Sequence, residues 1–137
     1  MTSNTKQKLF AWLPVLLYFG LIFYESSHPL PKGFPTKWNF DKLCHFFAYL
    51  VAGILVLRAV RTIPKLKSPA ISAAISIVTV SLYGVSDELH QCFVPSRCAD
   101  RYDLIANILG CTVGVLLYAY IFRIRKKELL FEEIRKV

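Results

Sequence analysis

Residues 9–24 read LFAWLPVLLYFGLIFY, a run of sixteen residues without a single charge. The run is apolar on every side, whereas a helix of a soluble bundle carries a polar stripe along its outer face. A helix that is apolar all round lies in a large protein core or in a membrane, and 137 residues allow only one domain. The stretch therefore predicts a helix that crosses a lipid bilayer.

Three further apolar runs, at residues 43–57, 69–86 and 104–122, contain no lysine, arginine, aspartate or glutamate. A spanning helix needs about 20 mostly apolar residues, so flanking residues must complete each crossing. Aromatic residues typical of the headgroup layer lie near the predicted ends, namely Trp12, Tyr24, Trp38, Tyr83, Tyr102, Tyr118 and Tyr120. We predict an all-α bundle of four transmembrane helices in one domain, 1–137, with spans at about 8–25, 42–58, 69–90 and 103–123 and an amphipathic helical tail at 124–137.

The distribution of lysine and arginine predicts the orientation of these spans. If both termini lie on one side, that side carries twelve basic residues and the other side five. The positive-inside rule then places both termini in the cytoplasm. The net charge of +8 reflects this topology, and it is not massed on one surface as nucleic-acid binding requires. Four cysteines are too few for a disulfide scaffold, although a pairing of Cys92 with Cys98 stays open.

Polar residues concentrate at the outer ends of the second, third and fourth spans. Asp41 and His45 are four residues apart and share a helix face, as do Asp103 and Asn107. The same faces continue into small residues that let helix backbones approach closely in lipid, namely Ala48, Ala52, Gly110 and Gly114.

A charge in the hydrocarbon layer is costly, so these side chains are expected to face inward. The predicted cluster consists of Asp41, His45, Asp87, Glu88, Gln91, Arg97, Asp103 and Asn107. We expect Arg97 at its centre, because a guanidinium binds two carboxylates or a phosphate in bidentate fashion.

Four ordered motifs carry a family resemblance: SSHPLP at 26–31, DKLCHFFAY at 41–49, YGVSDELHQCFVPSR at 83–97 and DLIANILGCTVG at 103–114. With these pieces the chain resembles the VanZ-like membrane proteins, whose recurring polar positions fall on the eight cluster residues. It departs at Ser96 and Asp100, where glycine and a small polar residue are more usual. The resemblance implies a bacterial plasma membrane, a role at the cell envelope and a link to resistance against glycopeptides such as teicoplanin.

Several functions fit such a cluster. It could be an ion-paired latch between helices, or a pocket for a lipid or glycolipid headgroup, including a lipid-linked cell-wall precursor or a glycopeptide. It could also serve an intramembrane enzyme for lipid-linked phosphate or sugar, with His45 or Glu88 as acid or base. A small transporter or assembly partner with a polar relay is the remaining alternative, and packing of Gly110 and Gly114 across a homo-oligomer stays open.

Cofactor chemistry has little support in the sequence. Cys44, His90 and Cys92 raise the question of zinc, but no paired Cys-x-x-Cys motif exists, so no metal and no cofactor are predicted. The nucleophile elbow G-x-S-x-G, the P-loop and the H-E-x-x-H motif are all missing from the sequence. Membrane lipids are the expected partners.

Overall fold

A computed structural model of the chain describes residues 3–29, 40–66, 68–95 and 97–135. Within these ranges, it describes the side chains of residues 5–124. Its four helices are α1 (Ser3–Ser26), α2 (Phe40–Val60), α3 (Pro69–Gln91) and α4 (Arg101–Arg135). Each contains a segment long and apolar enough to span a membrane. No strand occurs in the described ranges, so the prediction of an all-helical fold with four spans is confirmed.

Large apolar side chains cover the outside of the bundle. Phe10, Leu16, Leu82 and Leu116 are all more than half exposed. A soluble domain buries most such residues, whereas a bilayer solvates them. The chain is therefore a multi-pass membrane protein whose outer surface faces lipid.

Glycines set the distance between α2 and α4, which form the most extensive helix pair in the bundle. A Cβ atom on Gly110 or Gly114 would overlap the backbone carbonyl of Phe46 or Leu50 on α2, respectively. Gly53 of α2 repeats this arrangement against α4. Lipid provides no hydrophobic force between helices, so close van der Waals contact must hold this pair together.

At the other end of the bundle, an arginine near the end of α2 hydrogen-bonds to the backbone of α1. Pro14 lies inside α1 and has no N–H to donate to the carbonyl of Phe10. Arg58 of α2 donates to that oxygen at 3.0 Å and to the carbonyl of Ala11 at 3.3 Å. The arginine thus satisfies a backbone group that the proline leaves without its helical partner.

The C-terminal tail is helical, but it is not a separate helix. α4 is 35 residues long and continues without a break to Arg135. No proline or glycine follows Gly114, so nothing in the sequence interrupts the helix. At ~1.5 Å per residue, α4 is about 50 Å long and exceeds the hydrocarbon thickness of a bilayer.

We predict that Gly110→Ala and Gly114→Ala each destabilise the protein by about 1–3 kcal/mol, because the added methyl group forces α2 and α4 apart. Thermal unfolding in detergent measures the effect. Gly20→Ala is the matched control, because a Cβ at Gly20 meets nothing within 4 Å. Equal stability of all three variants would contradict a glycine-determined helix separation.

Candidate polar pocket at one end of the bundle

The predicted polar residues meet at one end of the bundle, where α1 and α3 end and α2 and α4 begin. Five of the eight are buried, namely Asp87, Glu88, Gln91, Asp103 and Asn107. The other three, Asp41, His45 and Arg97, are half-buried. Sequence spacing on each helix and the close packing of α2 against α4 together produce this arrangement.

Lys42 is the cation at the centre of the acidic residues. Its ammonium lies 3.1 Å from Asp41, 2.7 Å from Asp100 and 2.8 Å from Asp103. The Lys42 side chain is 21% exposed and Asp103 9%, whereas Asp41 and Asp100 are 36% exposed, so only the pair with Asp103 is largely shielded from water. These ion pairs connect the first turn of α2 to the start of α4.

Asp100 lies just before α4, where its carboxylate accepts from both a side chain and the backbone. Two hydrogen bonds hold the pKa of the Asp100 carboxyl below its usual range. The larger effect comes from Lys42, and the smaller one comes from the backbone N–H of Tyr102. The carboxylate therefore stays charged and available to Lys42.

A second group of polar contacts lies deeper in the bundle, around His45, Tyr49 and Asn107. His45 Nδ1 lies 3.0 Å from the amide oxygen of Asn107 and 3.7 Å from Glu88 Oε1. The hydroxyl of Tyr49 donates to Asp87 Oδ2 at 3.1 Å. Glu88 Oε2 accepts from the backbone N–H of Asp100 at 3.2 Å. Helices α2, α3 and α4 are thereby joined through their polar side chains.

Arg97 does not occupy the centre of the cluster, contrary to our expectation. Its guanidinium donates to the backbone carbonyls of His28 at 3.1 Å and Glu25 at 3.3 Å. Glu25 lies in the last turn of α1 and His28 just after its end, where carbonyls have no intrahelical donor. Lys42 takes the central position because it begins α2 beside the acids, whereas Arg97 lies on the loop that passes α1.

A cavity of about 340 Å³ opens between α1, α2 and α3 at this end. Asp41, His45, Asp87 and Gln91 provide polar lining, together with Arg97. The opposite wall is formed mainly by α1, with Tyr18, Leu21, Ile22, Glu25 and Ser26; Cys44, Ala48 and Tyr49 complete the lining from α2. The cavity thus combines ionisable groups, including Glu25 of α1, with apolar side chains such as Leu21 and Ile22.

Several buried polar atoms around the cavity have no hydrogen-bond partner within the described residues. They are Ser26 Oγ, Asp87 Oδ1, Glu88 Oε1 and Asn107 Nδ2. Burying an unpaired polar atom costs about 1–3 kcal/mol, so such atoms are rare in native structures. Ser26 and Asp87 line the cavity, and Glu88 and Asn107 contact His45 in its lining. Three other buried atoms without a described partner, Arg58 Nε, Arg61 Nη1 and Ser81 Oγ, lie outside the cavity.

The zinc question raised by Cys44, His90 and Cys92 has a structural answer. His90 stacks on Phe23 and hydrogen-bonds to Ser27 at 2.9 Å, so it helps to hold α1. Cys44, Cys92 and Cys98 are exposed and form no disulfide within the described residues. His90 and the cysteines do not form a group of metal ligands in this structure.

Lys42, Tyr49 and Asp100 also belong to the polar cluster, although the sequence did not predict them as members. Tyr49 had a visible signal, because it follows Asp41 and His45 at eight and four residues on the same helical face. Lys42 and Asp100 carried no such signal. Their ion pair joins residues 58 positions apart, and only the tertiary structure brings them together.

We predict that Lys42→Met lowers the free energy of unfolding by about 1–3 kcal/mol, because three carboxylates would lose their shared cation. The value lies below that for a fully buried pair, since Asp41 and Asp100 are 36% exposed. Thermal unfolding in detergent checks it. Lys65→Met, an exposed change at the other end of the bundle, is the control, and an equal loss in both variants would contradict the role of Lys42.

Comparison with known proteins places the chain in a family. An uncharacterized protein of the fission yeast Schizosaccharomyces pombe is 26% identical over 113 residues, which cover 82% of this chain and 62% of that protein. The chain thus corresponds to about three fifths of the relative's length. No solved structure matches it. A family model described as VanZ/LLP1 matches residues 2–123, nearly the whole chain, and the resemblance seen in the sequence is confirmed: the protein belongs to the VanZ/LLP1 family.

Proposed function

We propose that the cavity at the polar end of the bundle binds the phosphate-bearing headgroup of a membrane lipid or glycolipid. The single observation that carries this proposal is the amphipathic lining. Ionisable side chains, with Glu25 among them, line the part of the cavity at the end of the bundle, and Leu21, Ile22 and Ala48 line the part nearer its middle. A lipid has the same division, with a polar headgroup attached to apolar chains.

Size and access also support a lipid ligand. The volume of about 340 Å³ falls within the ~300–1,000 Å³ common for small-molecule sites. α1 packs less extensively on α2 and α3 than α2 does on α4. Because α1 is the more loosely packed helix of the cavity lining, a lipid would enter from the bilayer beside α1.

Arg97 is suited to the anionic part of the ligand. The guanidinium has five N–H donors, and its hydrogen bonds to the carbonyls of His28 and Glu25 use only some of them. Hydrogen bonds from a charged donor to a phosphate are about twice as strong as neutral ones. Asp41 and Asp87, which also line the cavity, would accept hydrogen bonds from sugar hydroxyls or an amine.

The family resemblance extends the proposal to the cell envelope. In a bacterial plasma membrane, the ligand would be a lipid-linked cell-wall precursor or a glycopeptide antibiotic, and glycopeptide tolerance would follow from binding. Loss of teicoplanin tolerance in Arg97→Ala cells, with the protein still present, would support this extension. Unchanged tolerance would count against it.

The proposed orientation puts the cavity outside and both termini in the cytoplasm, as the excess of basic residues at the other end favours. We predict that a variant with Cys98 as its only cysteine reacts with a membrane-impermeant maleimide in intact cells, because Cys98 is exposed at the cavity end. Lys65→Cys, in a chain otherwise free of cysteine, should react only after permeabilisation. The reverse labelling pattern would contradict the orientation.

For headgroup binding, we predict that the full chain purified in mild detergent retains phosphate-containing lipid, measured by mass spectrometry of extracted lipid. Arg97→Ala should lower the retained amount about tenfold or more, because a hydrogen bond to a charged group contributes about 1.5–3 kcal/mol. Ser26→Ala should also lower it. The Ser26 hydroxyl has no described partner, so its loss should not lower the stability of the protein.

Arg101→Ala is the matched control, because Arg101 is exposed and its guanidinium lies over the Tyr102 ring. Thermal unfolding of each variant separates lost binding from lost structure. Lipid retention equal to that of the native protein in both cavity variants would overturn the proposal. Release of phosphate or a phosphosugar from the bound lipid, abolished by His45→Gln, would instead favour the enzymatic alternative, for which His45 and Glu88 lie 3.7 Å apart.

A further inference from the structure

We propose that His45, Asp87 and Glu88 bind a divalent metal ion at the wall of the cavity. One ring nitrogen of His45 and one carboxylate oxygen of each acid lie within 4.8 Å of one another. Metal–ligand distances of about 2.0–2.2 Å place two ligands of one ion no more than ~4.4 Å apart. Small side-chain rotations therefore suffice to bring the three groups onto one ion.

Unpartnered oxygens point to a ligand at this position. Asp87 and Glu88 are 4% and 5% exposed, yet Asp87 Oδ1 and Glu88 Oε1 have no hydrogen-bond partner among the described residues. The second oxygen of each carboxylate is already engaged, by Tyr49 and by the backbone N–H of Asp100. Each acid thus keeps one oxygen available to a cation.

Both acids are also held from behind, as metal ligands usually are. Tyr49 donates to Asp87 Oδ2, and the backbone N–H of Asp100 donates to Glu88 Oε2. Asn107 contacts His45 at Nδ1, the ring nitrogen that also lies 3.7 Å from Glu88 Oε1, so an ion at this nitrogen would displace the Asn107 amide and otherwise would bind Nε2. The supports of the two carboxylates come from α2 and from the loop before α4.

The balance of charge at Asp87 and Glu88 is consistent with a bound cation. Lys42 forms ion pairs with Asp41, Asp100 and Asp103, and in the described ranges no lysine or arginine pairs with Asp87 or Glu88. Two buried carboxylates are costly without compensation. A divalent cation would neutralise both; the imidazole favours Zn²⁺ over Ca²⁺, and the two carboxylates also suit Mn²⁺.

A metal ion would also explain how an acidic cavity accepts a phosphate, so for its substrate class this inference rests on the proposed headgroup binding. Three protein ligands leave coordination positions open to a ligand oxygen. His45 and Asp87 line the cavity, so an oxygen of a bound headgroup could reach those positions. The ion would act there as a Lewis acid toward a phosphoryl oxygen.

The experiment uses the full chain in detergent, stripped with a chelator and dialysed against Zn²⁺ alone and, separately, Mn²⁺ alone. We expect one ion per chain by elemental analysis, together with a higher temperature of unfolding, because a ligand that binds the folded state stabilises it. Glu88→Gln and Asp87→Asn should each weaken binding at least tenfold, since even supporting residues around metal sites contribute about 10–100-fold.

Glu25→Gln is the matched control, because Glu25 lines the same cavity but lies outside the ligand group, and it should bind metal like the native protein. No binding by the native protein, or equal binding by all variants, would overturn the metal site and favour neutralisation of the carboxylates by protons. If the protein retains lipid but binds no metal, the headgroup proposal stands and the metal site is wrong. If it binds metal but retains no lipid, the metal site stands and the headgroup proposal is wrong.

Discussion

The close approach of α2 and α4 is the constraint on which the rest of the structure depends. Gly110 and Gly114 bring the α4 backbone against the carbonyls of Phe46 and Leu50. At that separation Lys42 reaches Asp103 at 2.8 Å, and His45 reaches Asn107 at 3.0 Å. In lipid, where apolar side chains gain little from leaving the solvent, such packing and polar contacts take over the role of the hydrophobic effect.

Unequal packing among the helices produces the cavity. α2 and α4 meet backbone to backbone, whereas α1 is attached through longer side chains, such as Phe19 stacked on Tyr83 at 4.1 Å and Tyr18 bonded to the carbonyl of Ala48. Aromatic contacts of this kind hold α1 at a distance. The space that remains between α1 and its neighbours is polar at the end of the bundle and apolar toward its middle.

The acidic residues divide into two groups with different surroundings. Asp41, Asp100 and Asp103 share Lys42, and this ion-paired group ties the starts of α2 and α4 together. Asp87 and Glu88 lie deeper, without a lysine or arginine partner in the described part of the chain, and each presents an unpaired oxygen. The first group is an ion-paired link between two helices, similar to the latch that was one alternative for the cluster, and the second supplies the chemistry of the proposed site.

The sequence by itself determined the membrane fold, because uninterrupted apolar runs and helical spacing are local properties. It also determined the eight polar positions, since Asp41 with His45 and Asp103 with Asn107 share faces at a spacing of four residues. The tertiary structure alone decided which groups pair. Lys42 instead of Arg97 occupies the acidic centre, and His45 joins Asp87 and Glu88, because these contacts depend on the rotation and separation of helices distant in sequence.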